Sequence, residues 1–261
     1  MAKSRSIFIG DVHGCLEELR ELLGLLSFDR ARDELVLLGD LVDRGPSPVE
    51  TVRFVRSELV PAGVRITQGN HCDKLGRWRL RERQFRETGR KNMMMPPSDE
   101  RRAQWLAFSD EEVAWMTGLP YLIRMAEGSP ARGWIAVHAG FLPGVPIERQ
   151  APGDMMRIRH VHKDSGKMLA LGDDFKDPPD GVVWTERWTG PESIVYGHFV
   201  RSLGEPVVEE RAPGVLCVGL DTGCCFGGRL SSMILYSGKR EAEFVSVPAL
   251  RQYCKLGGGR F

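Results

Sequence analysis

The sequence predicts an α/β fold that begins with a parallel sheet. Three short apolar runs, at residues 7–9, 35–38 and 64–67, each lead into a turn that contains glycine, as buried strands often do. Between these runs, apolar residues recur every three or four positions, which is helical spacing. The order strand, helix, strand, helix, strand implies parallel strands joined by right-handed crossovers.

The first two helices are predicted at residues 15–26 and 49–59. Leucines at helical spacing give the first helix one apolar face, and valines do the same for the second. Pro46 and Pro48 stand where the second helix begins, and proline is tolerated in a first helical turn. These two helices would cover the first sheet.

Residues 72–118 are predicted to form a charged helical insert near the polar residues that follow the predicted strands. Between residues 72 and 91, eight side chains are Lys or Arg and three are acidic. Ser109 followed by three acids is typical of a helix N-cap and its first turn. The basic side chains form either a solvated helix face or a binding surface for phosphate groups. Trp78 and Trp105 are expected to pack internally rather than to stack on a base.

The remaining chain is predicted to be rich in strands. Strands are expected at residues 121–125, 134–137 and 193–196, followed by an antiparallel set at 207–208, 215–220, 230–236 and 244–247. Residues 143–181 are expected to be mostly loop, with a short helix around 154–161. Residues 255–261 are expected to form a disordered tail. No linker or repeat divides the chain, so residues 1–261 are predicted to form one domain.

Composition gives no sign of a membrane or nucleic-acid protein. The formal net charge is +1, so no global field attracts polyanions. No apolar stretch has the length of a signal peptide core or a membrane span. The six cysteines contain no C-x-x-C pair, which predicts free thiols in a reducing cytoplasm. The sequence does not indicate an oligomeric state.

Polar side chains follow the predicted strands closely. Asp11, Asp40 and Asn70 lie 29 and then 30 residues apart, about one strand–helix–strand unit, so parallel strands would deliver them to one rim of the sheet. Histidines 13, 138 and 198 also stand just after predicted strands. Carboxylate, amide and imidazole donors without a thiolate suit manganese, iron or zinc. Six ligands are a natural number for two ions that share one bridging carboxylate.

Five motifs in this order resemble the phosphoprotein-phosphatase branch of the calcineurin-like metallophosphoesterases. They are Gly-Asp-Val-His-Gly at 10–14, Gly-Asp-Leu-Val-Asp-Arg-Gly at 39–45, Gly-Asn-His at 69–71, His-Ala-Gly at 138–140 and Tyr-Gly-His at 196–198. The segment 219–230 is similar to the last motif of one sub-branch, which contains symmetrical diadenosine-tetraphosphatases and bacterial polynucleotide-end phosphatases. The resemblance implies a central β-sandwich flanked by α-helices.

The resemblance also implies a role for each site residue. Asp11, His13 and Asp40 would hold one divalent ion, and Asp40, Asn70, His138 and His198 the other. His71 would be the general acid, Asp43 would orient it, and Arg44 would hold phosphate oxygens. Arg159 is expected to be a second phosphate-binding arginine, with Arg157 as its rival. Cys72 stands where the family usually has an acid, at a position that is not a metal ligand.

The implied activity is phosphoanhydride or phosphoester hydrolysis by a metal-activated hydroxide. The two ions are expected to be Mn²⁺, with Fe, Zn, Co or Ni as alternatives. The favoured substrate is a small dinucleoside polyphosphate such as diadenosine tetraphosphate. A protein phosphatase acting on phosphoprotein is the first alternative, followed by a phosphatase of nucleic-acid ends. A non-catalytic phosphate-binding module is the last alternative.

Overall fold

Two mixed β-sheets dominate the structure, a computed structural model that describes residues 3–94, 97–170, 177–239 and 241–256. The strands are β1 (Arg5–Ile9), β2 (Asp33–Leu37), β3 (Arg65–Ile66), β4 (Leu122–Arg124), β5 (Trp134–Val137), β6 (His160–His162), β7 (Met168–Leu169), β8 (Gly181–Val183), β9 (Ser193–Tyr196), β10 (Val207–Ala212), β11 (Val215–Gly219), β12 (Arg229–Tyr236) and β13 (Glu243–Pro248).

Within the described ranges, six α-helices accompany these strands. They are α1 (Leu16–Leu26), α2 (Pro48–Phe54), α3 (Asn70–Thr88), α4 (Asp99–Ala107), α5 (Asp110–Thr117) and α6 (Pro152–Met155). A π-helical turn, Val55–Leu59, continues α2. The predicted N-cap at Ser109 is confirmed, since Ser109 and Glu112 form a capping box at the start of α5.

The first sheet has the strand order β13-β12-β1-β2-β3, and the second has the order β10-β11-β9-β5-β4. The predicted parallel arrangement is confirmed, since β1 pairs in parallel with β2, and β2 with β3. Apolar side chains from both sheets, including Phe8, Val36, Ala136 and Val195, form one buried cluster between them. The predicted central β-sandwich is therefore confirmed.

Helices cover the outer face of the first sheet. Side chains alternate along β1, so that Phe8 lies between the sheets while Ile7 and Ile9 join a second core with the helices. Leu19 of α1 and Trp105 of α4 belong to that same core. The predicted insert thus packs into the same core as α1. That the whole chain forms one domain stays a prediction.

In the second half, the described part of residues 143–181 is mostly loop as predicted, but the bounds of the short helix were wrong and a small sheet was not predicted. Residues 143–181 include most of a small sheet of order β7-β6-β8, and α6 ends at Met155 instead of continuing to 161. The strands of this small sheet have only two or three residues, which is too short to show an alternating pattern. The C-terminal strands also divide between the two sheets, and β11 runs parallel to β9.

The predicted disordered tail lies mostly outside the described residues, which end at 256. Among the helices of the described ranges, none has the length and apolar character to cross a membrane.

Candidate active site

Five strand ends bring the six predicted metal ligands to one edge of the sandwich. His138 Nε2 lies 3.3 Å from Asp40 Oδ2 and 3.0 Å from Asn70 Oδ1. His13 Nε2 lies 3.7 Å from the same oxygen of Asp40. The ligands are Asp11 and His13 after β1, Asp40 after β2, Asn70 after β3, His138 after β5 and His198 after β9.

Asp40 stands at the centre of this arrangement. It belongs to two buried groups, one with His13 and His71 and one with His138 and His198, whose donor atoms lie within 4.8 Å of one another in each group. Burial raises the pKa of Asp40, but His138 and His71 outweigh burial and hold that pKa well below its usual value. A carboxylate shared by two groups of donors has the geometry of a bridge between two ions.

Two potential metal-binding atoms of the site have no hydrogen-bond partner among the described residues. Within the described ranges, Asp11 Oδ2 and His198 Nε2 are buried and accept no hydrogen bond. Buried polar atoms are normally satisfied, so orphaned atoms at one site point to a missing group. Oxygen and imidazole nitrogen donors are the set that manganese, iron and zinc accept. These residues therefore fit divalent ions.

The backbone of the site is strained. Five predicted site residues have positive φ angles, a region that residues with side chains rarely adopt. The values are +45° at His13, +40° at Asp40, +69° at Asp43, +69° at Arg44 and +65° at His198. Such strain persists only where the surrounding structure enforces it, and it clusters at functional sites.

Two glycines allow the ligand loops to approach each other. A methyl group on Gly69 would lie 2.1 Å from Asp40 Oδ1, and one on Gly197 would lie 2.0 Å from Asp11 Oδ1. Because a glycine has no side chain, the carboxylate can come close to the backbone. Asp11 Oδ1 accepts the backbone N–H of His198 at 3.0 Å. The glycines of the Gly-Asn-His and Tyr-Gly-His motifs thus set the positions of the two carboxylates.

His71 and Asp43 form a buried pair beside the ligands. The ring nitrogen Nδ1 of His71 lies 2.6 Å from Asp43 Oδ2. Burial and Arg44 lower the pKa of His71, whereas Asp40 and Asp43 oppose that change. The contact with Asp43 leaves Nε2 of His71 as the nitrogen available to the site.

Trp105 contacts the predicted catalytic pair, although the sequence predicted only a packing role for it. Its indole Nε1–H donates a hydrogen bond of 2.7 Å to Asp43 Oδ1, the oxygen that His71 does not use. Arg101, also on α4, lies 3.6 Å from that oxygen. Trp78 packs against the Trp105 ring, with centroids 5.4 Å apart, and both rings are buried, as predicted. The insert therefore fixes the carboxylate that orients His71.

We expect Trp105→Phe to slow turnover about tenfold, the usual size of an effect transmitted through a supporting hydrogen bond. The loss should appear in kcat for phenyl phosphate, whose leaving group needs a proton, and less for p-nitrophenyl phosphate. Steady-state kinetics on both esters would measure it. Trp78→Phe is the matched control, because it alters the neighbouring ring without a bond to Asp43. Equal effects of the two substitutions would assign Trp105 to packing alone.

The predicted arginines occupy different places. Arg44 Nη1 lies 2.9 Å from His13 Nε2, and its guanidinium stands 5.0 Å from the ring centre of Phe226. Burial and the charge of Arg44 lower the pKa of Arg159, so the two cations lie within electrostatic range of each other. Arg157 instead pairs with Asp73 of α3. The geometry favours Arg159 over its rival, and the catalytic roles stay predictions.

Asp221 is a second residue that sequence reasoning missed. It follows β11 and is buried, and its Oδ1 accepts the backbone N–H of Gly223 at 3.0 Å. Within the described ranges its Oδ2 has no hydrogen-bond partner. Burial and the charge of Asp221 raise the pKa of Asp11. The sequence did contain a signal for Asp221, because an aspartate shortly after a strand was the pattern that identified Asp11 and Asp40.

Cys72, the departure from the family pattern, is buried. Burial, with the nearby Asp40, raises the pKa of its thiol, so Cys72 stays neutral. A neutral thiol adds no charge to the site.

Comparison with known proteins agrees with this geometry. A family model for calcineurin-like phosphoesterases matches residues 4–219. A symmetrical bis(5'-nucleosyl)-tetraphosphatase of Yersinia enterocolitica is 31% identical, covering 93% of this chain and 91% of its own. An asymmetrical bis(5'-nucleosyl)-tetraphosphatase of Halalkalibacterium halodurans is 30% identical, covering 92% of each chain. A crystal structure provisionally assigned as a diadenosine tetraphosphatase has a TM-score of 0.71 and 27% identity, covering 95% of this chain and 94% of its own.

Proposed function

The chain belongs to the calcineurin-like phosphoesterases and is a metal-dependent hydrolase, and from this premise we propose that its substrate is a dinucleoside polyphosphate, with diadenosine tetraphosphate favoured. The observation that carries the proposal is the similarity of 93% of the chain, at 31% identity, to a tetraphosphatase. The segment 219–230, which resembles the final motif of nucleotide-cleaving relatives, supports it further.

The metal site would be divided around Asp40. Asp11, His13 and Asp40 would hold one ion, and Asp40 with Asn70, His138 and His198 would hold the other. Bound divalent ions supply positive charge to the phosphoryl oxygens and lower the pKa of water so that it can attack phosphorus. We propose Mn²⁺ as the physiological ion, since this donor set contains no thiolate.

Protein side chains would supply the remaining chemistry. Arg44 and Arg159 would donate hydrogen bonds to non-bridging phosphate oxygens, which gain charge in the transition state. His71 would donate the Nε2 proton to the leaving oxygen, while Asp43 holds Nδ1–H and so fixes the direction of the ring. No step requires a covalent bond to the protein.

We propose a cytoplasmic location. The six cysteines all lie in the described ranges and form no disulfides there. Free thiols persist in a reducing compartment, which is also where nucleotides are made and used.

The experiment that tests the function is turnover with Mn²⁺ of diadenosine tetraphosphate and a phosphoserine peptide, with products separated by chromatography. We expect kcat/KM for the tetraphosphate to exceed that for the peptide by about 100-fold or more, since nucleotide recognition should discriminate strongly. Chelation should abolish turnover and Mn²⁺ should restore it, with Fe²⁺, Zn²⁺, Co²⁺ and Ni²⁺ as comparisons. A preference for the peptide, or no cleavage of the tetraphosphate, would contradict the proposal.

A further inference from the structure

The relatives include both symmetrical and asymmetrical tetraphosphatases, so the point of cleavage is open. Three features of α3 and α4 bear on it. His71, the proposed general acid, defines the side on which the leaving group departs. Lys74 of α3 and Arg101 of α4 are basic residues near His71 and its partner Asp43, and neither is assigned a contact with substrate in the mechanism above.

Lys74 lies beyond His71 as seen from the ligands. Helix α3 begins at Asn70, a predicted metal ligand, and His71 follows directly. Lys74 comes three residues after His71, so the two side chains share one face of the helix. A chain of phosphates that extends from the attacked phosphorus past His71 would next reach Lys74.

Lys74 differs from the next two basic side chains of α3. Arg77 pairs with Asp73 at 2.9 Å, and Arg79 pairs with Asp110 at 2.5 Å. Lys74 is half-buried, and no carboxylate of the described ranges lies within ion-pair distance of its amine. Burial and the charge of Arg101 lower the pKa of Lys74, whereas the charge of Asp43 opposes that change.

Arg101 is a second cation near the His71–Asp43 pair. Its side chain is 15% exposed and its Nε lies 3.6 Å from Asp43 Oδ1, so α4 holds it beside the His71–Asp43 pair. Arg44 belongs to the same field, since it too lowers the pKa of Lys74. Gathering cations in a partly buried place costs free energy that a bound anion would offset.

We propose that Lys74 and Arg101 form an anion subsite for the leaving nucleotide, so that the departing product carries two or more phosphates. The inference rests on the proposed function. In the reaction, a water oxygen bonds to the attacked phosphorus, and the bond from that phosphorus to the bridging oxygen breaks. His71 donates its proton to the bridging oxygen, and the attacking water loses a proton to solvent. For diadenosine tetraphosphate cut at its centre, both products are ADP.

A subsite that lies beyond His71 selects against AMP as the leaving group. The phosphate of a departing AMP would end beside His71, and its ribose would then face Lys74 and Arg101. A departing ADP instead places its second phosphate there. The substrate class that this subsite selects is a nucleotide polyphosphate, because a simple monoester has no second phosphate to bind.

The test is calorimetric binding of AMP and of α,β-methylene-ADP, which cannot be hydrolysed, to the Mn²⁺-loaded protein at a buffered free metal concentration. We expect the wild-type protein to bind the diphosphate analogue about tenfold or more tightly than AMP, the effect of one charge-assisted hydrogen bond. Lys74→Gln should reduce that ratio to below about threefold. Lys74→Arg, which keeps the charge, should retain most of it.

Lys91→Gln is the matched control, because it removes the same charge from an exposed position beyond the end of α3. A ratio near one in the wild-type protein, or a ratio that Lys74→Gln leaves unchanged, would overturn the subsite. This readout needs no turnover. Failure to cleave diadenosine tetraphosphate would therefore refute the proposed function separately from the subsite.

Discussion

Asp40→Asn is expected to lose both metal ions and to reduce kcat by at least about a thousandfold. Asp40 is the one ligand that belongs to both groups of donors, those with His13 and those with His138. The amide keeps the shape but loses the negative charge, and metal charge contributes several kcal/mol to phosphoryl transfer, at about 1.4 kcal/mol per tenfold in rate. Metal content after desalting and kcat with saturating Mn²⁺ would measure both losses.

Thermal unfolding gives an independent readout of the same change. Ions that bind only the folded protein raise its unfolding temperature, so added Mn²⁺ should stabilise the wild-type protein and leave Asp40→Asn unaffected. Asp33→Asn is the matched control. It removes a buried carboxylate at the opposite end of the same strand, where Asp33 pairs with Arg5. Asp33→Asn should bind both ions, and an Asp40→Asn protein that also bound both would refute the bridging role.

The ligand loops could be predicted from sequence because their pattern is local. Asp11 follows the apolar strand β1 by two residues and Asp40 follows β2 by three, and parallel pairing then requires both to reach the same rim. The positive φ angles of Asp40 and Asp43 were not predictable in this way. Glycine, asparagine and aspartate mark such conformations only weakly, and the strain is enforced by contacts with distant loops.

Trp105 shows what local patterns cannot supply. Its hydrogen bond to Asp43 joins residues 62 positions apart, and Trp105 occupies an ordinary apolar position of α4. Nothing in its neighbourhood distinguishes a tryptophan that only packs from one that also donates to a buried carboxylate. The role of the insert in the site thus follows from the tertiary packing of α4 against the Asp43 loop.

The structure leaves two roles for His71, and they differ in chemistry. Its donor atom lies with those of His13 and Asp40 in a group that could hold an ion, which would make His71 a ligand. Its Nδ1 contact with Asp43 at 2.6 Å is the arrangement of an oriented general acid. The family resemblance favours the acid. Substituting His71 separates the two roles, because only a ligand is needed for metal binding.

We expect His71→Asn to retain both ions and to lose about 10²–10⁴-fold in kcat for diadenosine tetraphosphate, the range for removal of a general acid. The loss should be much smaller for p-nitrophenyl phosphate, because p-nitrophenolate departs without a proton. Metal content and the two kcat values decide between the roles. Asp43→Asn should give the same dependence on leaving group with a smaller loss, since it disturbs only the orientation of His71. Loss of an ion would make His71 a ligand, and an equal fall for both substrates with both ions retained would refute the general-acid role.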